Sequence, residues 1–557
     1  MVAMRALGFM VVLIMMTCSL TEMHVKAGEI LTDTYESKLP VAYIDTEDGA
    51  GISSKTEYKT AHMTIVGNEK YPGILYDGTI SIKGRGNSTW LLPKKPYKIK
   101  LGTSTDMFGF GKNKHWVLLA NYYDDSLMRN TLAEQVAEIM GLQSMQTEWV
   151  DVVLNGEYVG NYQFSEQIRV GENRIEIFDW EDEAEKVAKA IYQREKGNGF
   201  TKEDRDALEE RMQENLAWIT GGAVTYGAKT YKIADYYDLN KNYNGGYLIE
   251  FSQEYDEISK FKTADNVPTM IHAPEYVNTN SQMFAYIQEY IQQFENATYS
   301  PDGYTEIQGN KIHYSQLADF NSMINYWLLN EIMGNSDAFK KSCYAYKDVD
   351  GLLTFGPPWD FDWAEGAITV GSTYDRWEIN RITDVGNFMK HWLQDPYYLV
   401  KAQERYWEIR PELDVMTAQD GLLESYYDYV KESGHANNTI WNLYWGFEKD
   451  YGQLKKYLDN HLAWLDEQME TEDRFLESLE AYQRSENMTL QLLDTARSEV
   501  PEDDTTDKAS ADTWMDNAED LQLMVYAPCG TVSEVRVYVN GKYVDTSAME
   551  DGMVCVP

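Results

Sequence analysis

Short runs of alternating apolar and polar residues fill the chain from Leu39 to Ile168. They are rich in β-branched and aromatic residues and are separated by turn residues, which is typical of β-strands. The clearest of them read LPVAYIDT, KTAHMTIVG, GTISIKGRG, KPYKIKL and WVLLA. One stretch with helical spacing, roughly Ser126 to Met140, interrupts them, and Asn155-Gly156 between two later runs predicts a two-residue hairpin. The opening region is therefore predicted to be a sheet with one helix.

Helical spacing dominates the middle and later parts of the chain. The stretch at about 181–235 is highly charged, and Thr201 and Asp204 have the spacing of a helix-start capping pair, so it is predicted to be a charged helical insertion. GGYLIEF, from Gly245 to Phe251, returns to strand character. Residues 317–333 are apolar at helical spacing, and residues 385–490 carry amphipathic patterns that predict a helical lobe.

The two ends of the chain differ from this body. Arg5, the apolar run from Ala6 to Cys18 and the small residues before Gly28 are typical of a secretory signal peptide over residues 1–27, with lipidation of Cys18 as the alternative. Residues 499–516 are acidic and polar, which predicts a linker, and residues 517–557 predict a small β module that is either complete or truncated. We therefore expect a protein that is secreted or displayed at the cell surface.

Composition narrows the function classes. Hydrophobic residues make up 43% of the chain and aromatic residues 13%, so a sizeable core is expected. The formal net charge of −41 would repel phosphate backbones and anionic membranes, which argues against nucleic acid as a partner. That charge suits divalent cations or basic targets, or it is simply the acidic surface of a soluble protein. No stretch reaches about 18 uninterrupted apolar residues, so no membrane span is expected.

Cysteine usage gives little chemistry. The chain has four cysteines, at positions 18, 343, 529 and 555, which is too few for a disulfide framework. Cys529 and Cys555 either pair in an oxidising compartment or stay free. Cys343 is expected to be a small buried apolar residue rather than a nucleophile.

Two aspartates in turns are the most informative local feature. Asp337 is followed 23 positions later by Asp360, within Trp359-Asp360-Phe361-Asp362. Phosphoryl transfer needs such a pair, because one carboxylate orients or deprotonates the acceptor while the other holds Mg²⁺ against the phosphates. Without other information, however, an isolated aspartate in a turn is usually a helix cap or an ordinary turn former.

A glycine turn upstream adds a second candidate element. Gly84-Arg85-Gly86-Asn87-Ser88-Thr89 follows a strand, and Lys98 and Lys100 lie on one face of the next strand. Glycines allow the backbone to approach phosphates closely, and lysines supply positive charge. The alternative is an ordinary hairpin beside the solvated face of an edge strand.

Several separated motifs together resemble the CotH family of atypical protein kinases, known from spore coats. They occur in the family's order and read KGRGNSTW, KKPYKIKL, LLANYYDDSLMRNTLA, GNYQFSEQI, GGYLIEF, NEIMGNSDAFKKSCYAYKD and GPPWDFDWAEG. The resemblance implies an α+β, protein-kinase-like domain at about 39–485, with a β-rich N-terminal lobe and a helical C-terminal lobe. It also implies binding of ATP with Mg²⁺ or Mn²⁺, and phosphorylation of Ser or Thr in a protein substrate.

The same resemblance assigns roles to individual residues. Asp337 is similar to the catalytic carboxylate and Asp360 to the metal ligand of a kinase DFG motif. Residues near the nucleotide phosphates are implied to be Arg85, Asn87 and Lys98 or Lys100, with Glu166 paired to the lysine. Arg129 and Asn130 fall in a family motif without an assigned chemistry.

One position departs from ordinary kinases. The residue five after the catalytic aspartate is usually Asn, a second metal ligand, and here it is Ser342. A hydroxyl is a weaker ligand than a carboxamide, so Asp362 is the candidate to take over part of that role.

Two other function classes stay open at this point. A non-catalytic surface or adhesion protein could keep the fold as a scaffold, which export and Ser342 favour. A glycan-directed hydrolase could use Asp360, Asp362 and Glu365 as an acid and base pair, although carboxylates two apart in one loop need not face one bond. The sequence contains no H-E-x-x-H or G-x-S-x-G motif, so zinc and serine hydrolases are not indicated.

Overall fold

The computed structural model describes residues 38–239, 242–367, 373–381, 387–443 and 445–479, together with the backbone of six short strands between residues 492 and 555. The predicted signal peptide, linker and most of the C-terminal module lie outside the described residues.

The β-rich region closes into a barrel. Its seven strands are β1 (Val41–Thr46), β2 (Lys59–Val66), β3 (Ile74–Gly84), β4 (Tyr97–Asp106), β5 (Lys112–Leu119), β6 (Thr147–Leu154) and β7 (Glu157–Glu166). Neighbours follow the order β1-β2-β3-β4-β5-β7-β6, and closure comes from a parallel pairing of β1 with β6. Every other pair is antiparallel. Alternate side chains such as Ile80, Ile82 and Ile99 point inward and fill the barrel.

The predicted hairpin lies between β6 and β7. Asn155 and Gly156 have φ values of 51° and 80°, the positive values that a type I′ turn requires. The sequence prediction at this point is confirmed.

A second sheet and its helices form the rest of the described chain. The five-stranded sheet has the order β11-β12-β10-β15-β16, all antiparallel. Its strands are β10 (Tyr247–Phe251), β11 (Ser259–Lys262), β12 (Pro268–Ala273), β15 (Cys343–Lys347) and β16 (Leu353–Phe355). Two small hairpins join β8 (Ala223–Tyr226) to β9 (Lys229–Lys232) and β13 (Tyr304–Ile307) to β14 (Asn310–His313).

Helices cover this sheet and build the later part of the chain. They are α1 (Arg129–Ile139), α2 (Trp180–Glu195), α3 (Lys202–Glu214), α4 (Ala217–Gly221), α5 (Ser281–Tyr299), α6 (Phe320–Ile332), α7 (Glu378–Arg381), α8 (Met389–Trp392), α9 (Pro396–Leu413), α10 (Leu422–Trp441), α11 (Phe447–Gln468) and α12 (Glu472–Ser478). The capping box of Thr201 and Asp204 begins α3 as predicted. One apolar core runs through these helices and the second sheet, and Cys343 is fully buried in it.

Helix α10 packs directly on the barrel. Asn161 Nδ2 donates to Ser433 Oγ at 2.9 Å, and Ser433 Oγ donates to Asp151 Oδ1 at 2.6 Å. Gly160 permits this approach, since a Cβ there would lie 2.4 Å from Asn437 Oδ1. Polar contacts thus fix the barrel against the helical part.

The mixed α+β architecture, β-rich first and helical later, is confirmed. Among the residues that the structure describes, no helix is long and apolar enough to cross a bilayer.

Candidate functional site

A cavity of about 330 Å³ contains most of the predicted site residues. Its walls come from the glycine turn after β3, the loop after β5, the inner face of the second sheet and the two loops around β15 and β16. The predicted residues that line it are Arg85, Asn87, Asp337, Ser342, Asp360 and Asp362. Chain segments far apart in sequence therefore meet at one place.

Asp337 lies in a short turn just after α6. Its backbone N–H donates to Asn335 Oδ1 at 3.2 Å, and Asn335 Nδ2 donates to Asn330 Oδ1 at 3.1 Å, so the turn is fixed to the end of the helix. The Asp337 carboxylate is nearly buried and pairs with Lys340 at 3.2 Å and Lys341 at 2.9 Å. Two ammonium groups therefore fix the position of this carboxylate at the cavity wall.

Asp360 faces Asp337 across Lys341. Ser342 Oγ donates to Asp360 Oδ2 at 3.1 Å, and both residues have left-handed backbone, with φ values of 52° and 71°. Burial raises the pKa of Asp360 and Asp337 adds to the shift, while Lys341, Ser342 and Arg85 oppose it. Strained backbone that holds a costly charge is typical of a functional position.

Asp362 adds a further carboxylate to this cluster. Burial, and next the charge of Asp360, raise its pKa well above the ordinary value. Burial disfavours the ammonium of Lys341, but Asp360 and Asp337 raise its pKa overall. A cation placed among these oxygens would relieve the repulsion between the carboxylates.

The donor chemistry fits a hard divalent ion. Two carboxylates and a hydroxyl offer oxygen ligands, which Mg²⁺ prefers. The described residues contain no group of three or more His, Cys, Asp or Glu arranged to hold a metal by themselves. Mg²⁺ in phosphoryl-transfer sites usually has one or two protein carboxylates and completes its shell with phosphate and water, so the set is sufficient for that mode.

The glycine turn closes one side of the cavity. The guanidinium of Arg85 lies 5.7 Å from the ring centre of Trp359. Burial lowers the pKa of Arg85, and the nearby charges of Asp360 and Asp362 oppose the shift. Asn87 accepts a hydrogen bond from Lys55 at 3.0 Å and donates to Glu254 on the opposite wall. The turn requires Gly86, since its φ is 78° and a Cβ there would lie 2.1 Å from Thr89 Oγ1.

Three predicted residues, Lys98, Lys100 and Glu166, do not line the cavity. Lys98 pairs across the strands with Lys83, and burial together with Lys83 and other cations lowers the pKa of Lys98 to about 8. Lys100 is exposed on the same strand. Of these two lysines on β4, Lys98 is therefore half-buried beside Lys83 and only Lys100 is exposed.

The predicted pairing of Glu166 with a lysine is wrong. Glu166 forms a buried ion pair with Arg174 and accepts a hydrogen bond from Gln146 N at 3.0 Å. Arg174 follows eight residues later and reaches back to the end of β7, which the strand pattern did not indicate.

The geometry excludes Glu365 from the carboxylate pair of a hydrolase. Glu365 is fully buried and does not line the cavity, so it cannot face Asp362 across a substrate bond. Its backbone N–H donates to Met333 O at 2.8 Å.

Two residues of the motif LMRNTLA hold the backbone of the loop that carries Asp360 and Asp362. Asn130 Oδ1 accepts a hydrogen bond from Phe361 N at 2.7 Å, and Arg129 Nε donates to Ala364 O at 3.0 Å. Both side chains are buried although they are polar. Their position in a family motif was the only signal for them in the sequence.

The segment after the cavity, residues 373–381, is anchored by Glu331 near the end of α6. The Glu331 carboxylate accepts hydrogen bonds from the backbone N–H of Glu378 at 2.7 Å and of Ile379 at 3.0 Å. The ring nitrogens of His461 lie 2.7 Å from Glu331 O and 2.5 Å from Tyr374 O. Burial raises the pKa of Glu331 to about 8.

Replacing Glu331 by Gln is expected to remove part of the pH dependence of stability. The folded-state pKa of about 8 exceeds the ordinary value of 4.5, so the folded protein binds an extra proton between these values. This group therefore makes the free energy of unfolding fall as pH rises through that window, by up to about 1.4 kcal/mol per pH unit. Urea unfolding at several pH values gives the free energy of unfolding of parent and variant. The parent value minus the variant value should decrease as pH rises from about 4.5 to about 8. A constant difference would contradict the assignment.

A family model described as CotH kinase protein matches residues 82–219 and 228–465 of the chain. The match includes every residue of the cavity that the motifs indicated, from Arg85 to Asp362. No curated protein matches the chain.

Proposed function

Since the chain belongs to the CotH kinase family, we propose that it is an exported protein kinase that transfers phosphate from ATP to Ser or Thr of surface or coat-type proteins. In this proposal the barrel takes the place of the N-terminal kinase lobe, and the second sheet with its helices takes the place of the C-terminal lobe. Export is inferred from the N-terminal sequence, and N-terminal sequencing of secreted material tests it, with a start near Gly28 as the expected result.

The observation that carries the proposal is the meeting of Asp337 and Asp360 in one cavity with Arg85. Phosphoryl transfer is achieved mainly by positioning and by stabilising charge on the transferring group. One carboxylate must face the acceptor hydroxyl, another must face the phosphates through a cation, and a positive side chain must offset the phosphate charge. The three residues supply these three functions.

Asp337 is proposed to act on the acceptor. Its carboxylate would accept a hydrogen bond from the Ser or Thr hydroxyl and orient the oxygen toward the γ-phosphorus. It would take up the hydroxyl proton as the new O–P bond forms, while the bond from the γ-phosphorus to the β–γ bridging oxygen breaks and ADP leaves. Lys340 and Lys341 pair with the carboxylate and hold it in place before the acceptor binds. Such base and positioning effects are commonly worth about 10² to 10⁴ in rate.

The phosphate side would be held by the opposite wall. Arg85 and the backbone of the glycine turn would contact the phosphate oxygens, and Asp360 with Asp362 and Ser342 would hold Mg²⁺ or Mn²⁺. When bound, the ion supplies positive charge that neutralises the phosphates. Neither Lys98 nor Lys100 lines the cavity, so we assign them at most a long-range attraction of the nucleotide.

ATP is expected to raise the melting temperature only when a divalent ion is present. Without an ion, the carboxylates of the cavity repel the phosphates, and a ligand that binds the folded state stabilises it by mass action. Thermal unfolding with ATP and Mg²⁺, with ATP and a chelator, and with Mg²⁺ alone measures this. A non-hydrolysable ATP analogue controls for turnover.

Two outcomes would change the conclusion. Equal shifts with and without chelator would remove the metal role of Asp360. Absence of any nucleotide effect, together with absence of transfer to a protein substrate, would favour the scaffold alternative, in which the fold serves adhesion or assembly.

A further inference from the structure

Four buried side chains form one hydrogen-bonded row that starts at Phe361, in the loop that carries Asp360 and Asp362. Phe361 N donates to Asn130 Oδ1 at 2.7 Å, and Asn130 Nδ2 donates to Asn121 Oδ1 at 3.2 Å. Asn121 Nδ2 donates to Gln163 Oε1 at 3.2 Å, and Gln163 Nε2 donates to Glu134 Oε2 at 3.1 Å. The row begins at Asn130 on helix α1, passes through Asn121 after β5 and Gln163 on β7, and returns to α1 at Glu134.

The direction of the row is fixed at its first member. A backbone N–H can only donate, so Asn130 must present its oxygen to Phe361 and its amino group to Asn121. The same logic orients Asn121 and then Gln163, and the row ends correctly on an acceptor, Glu134. None of these side chains exposes more than 7% of its surface, so a broken link would leave a buried polar group unsatisfied.

The row acts on the backbone that carries the two metal-site carboxylates. Phe361 lies between Asp360 and Asp362, and its side chain is buried. Asp360 has a φ of 71°, a conformation that costs energy and persists only when surrounding contacts enforce it. The bond from Phe361 N to Asn130 is such a contact.

We propose that Asn130 is a positioning residue for Asp360 and Asp362, with Asn121, Gln163 and Glu134 fixing the orientation of its amide. The inference rests on the proposed metal role of Asp360. Asn130 lines the same cavity, and the proposal assigns it a task through its bond to the backbone of Phe361 rather than through the ligands. Partners of this kind, behind the ligands of a metal, commonly change metal affinity or activity about 10- to 100-fold when they are replaced.

Amide exchange at Phe361 tests the contact without any activity assay. In Asn130→Ala the N–H has no acceptor, and we expect its exchange to accelerate about tenfold or more. Mn²⁺ affinity in the presence of a non-hydrolysable ATP analogue should fall about 10- to 100-fold. Residue-resolved exchange by mass spectrometry and isothermal titration measure the two effects.

A paired replacement provides the rescue. Asn130→Asp keeps an oxygen that can accept from Phe361 N–H, but it has no amino group to donate to Asn121. The side-chain amides of Asn121 and Gln163 must then each rotate by about 180°, so that every donor and acceptor in the row is exchanged. Glu134→Gln in the same chain then supplies the donor that the reversed row needs at its far end. The double variant should recover slow exchange at Phe361 and most of the Mn²⁺ affinity. Glu138→Gln, on the exposed face of the same helix, is the matched control and should resemble the parent.

The outcomes separate this inference from the proposed function. If Asn130→Ala is folded and Phe361 exchange or Mn²⁺ affinity is unchanged, while the parent binds both ligands, only the positioning role is overturned. A parent that binds no divalent ion overturns both. Should Asn130→Ala not fold, Asn121→Ala, one link farther away, is expected to give a smaller acceleration in the same direction, and no acceleration would count against the row.

Discussion

Asp337→Asn is expected to lower phosphate transfer about 10²- to 10⁴-fold while ATP still binds in the presence of Mg²⁺. The amide has the size and shape of the carboxylate but cannot take a proton from the acceptor hydroxyl. Because the replacement also removes a negative charge near the phosphates, ATP affinity should stay equal or increase slightly. A radiolabel transfer assay on a Ser-containing protein substrate and isothermal titration with ATP measure the two quantities.

The pattern across variants distinguishes a catalytic carboxylate from a metal ligand. Asp360→Asn should lose Mg²⁺-dependent binding of ATP as well as transfer, because the negative charge that attracts the ion is removed. Asp459→Asn, an exposed aspartate on α11, makes the same chemical change elsewhere and should behave as the parent. Full transfer by Asp337→Asn would exclude Asp337 as the base and leave only its ion pairs with Lys340 and Lys341 as its role.

The sequence indicated Asp337 and Asp360 as candidates because both lie in local motifs that resemble the family. Asp337 and Asp360 lie in turns whose residue order resembles the family, and the structure brings them to one cavity. The glycine turn with Arg85 and Asn87 also lines it. In each case the prediction used only the residue order within one loop. That order can be read without knowing where the fold places the loop.

Predictions that depended on the direction of a side chain were less successful. Alternation in β4 puts Lys98 and Lys100 on the face opposite to Ile99, but it does not say which face looks toward the cavity. Glu166 was expected to meet a lysine and instead meets Arg174, which lies in a loop without a periodic pattern. Such pairings depend on how the chain turns after a strand, and single-sequence patterns contain little of that information.

In the fold, too, local features could be predicted from the sequence and long-range contacts could not. The strands before residue 168, the helix near residue 130 and the hairpin at Asn155 follow from local spacing and turn chemistry. Closure of the barrel does not, since it requires the parallel pairing of Val41–Thr46 with Thr147–Leu154, two strands that are distant in sequence. That contact is selected by the packing of the whole barrel interior rather than by either strand.

Arg129→Met is expected to destabilise the protein by about 3 to 5 kcal/mol. Arg129 is fully buried, and its Nη1 lies 2.5 Å from Asp124 Oδ1 and 2.6 Å from Asp450 Oδ2, which joins the loop after β5 to helix α11. Burial by itself lowers the pKa of the guanidinium, but the charges of Asp450 and Asp124 raise that pKa by more, so Arg129 stays ionised. Methionine fills a similar volume and leaves two carboxylates without a cation. Urea unfolding followed by tryptophan fluorescence measures the change.

The loss should arise from the stranded carboxylates rather than from missing contacts of the arginine stem. Adding Asp450→Asn to Arg129→Met removes one of the stranded charges, and the double variant should therefore be more stable than Arg129→Met alone, a coupling that a double-mutant cycle reports. Arg211→Met, on the exposed face of α3, is the matched control and should change stability by no more than about 0.5 kcal/mol. If Asp450→Asn instead destabilises Arg129→Met further, the ion pair is not the source of the effect, and Arg129 contributes mainly through its hydrogen bond to Ala364 O.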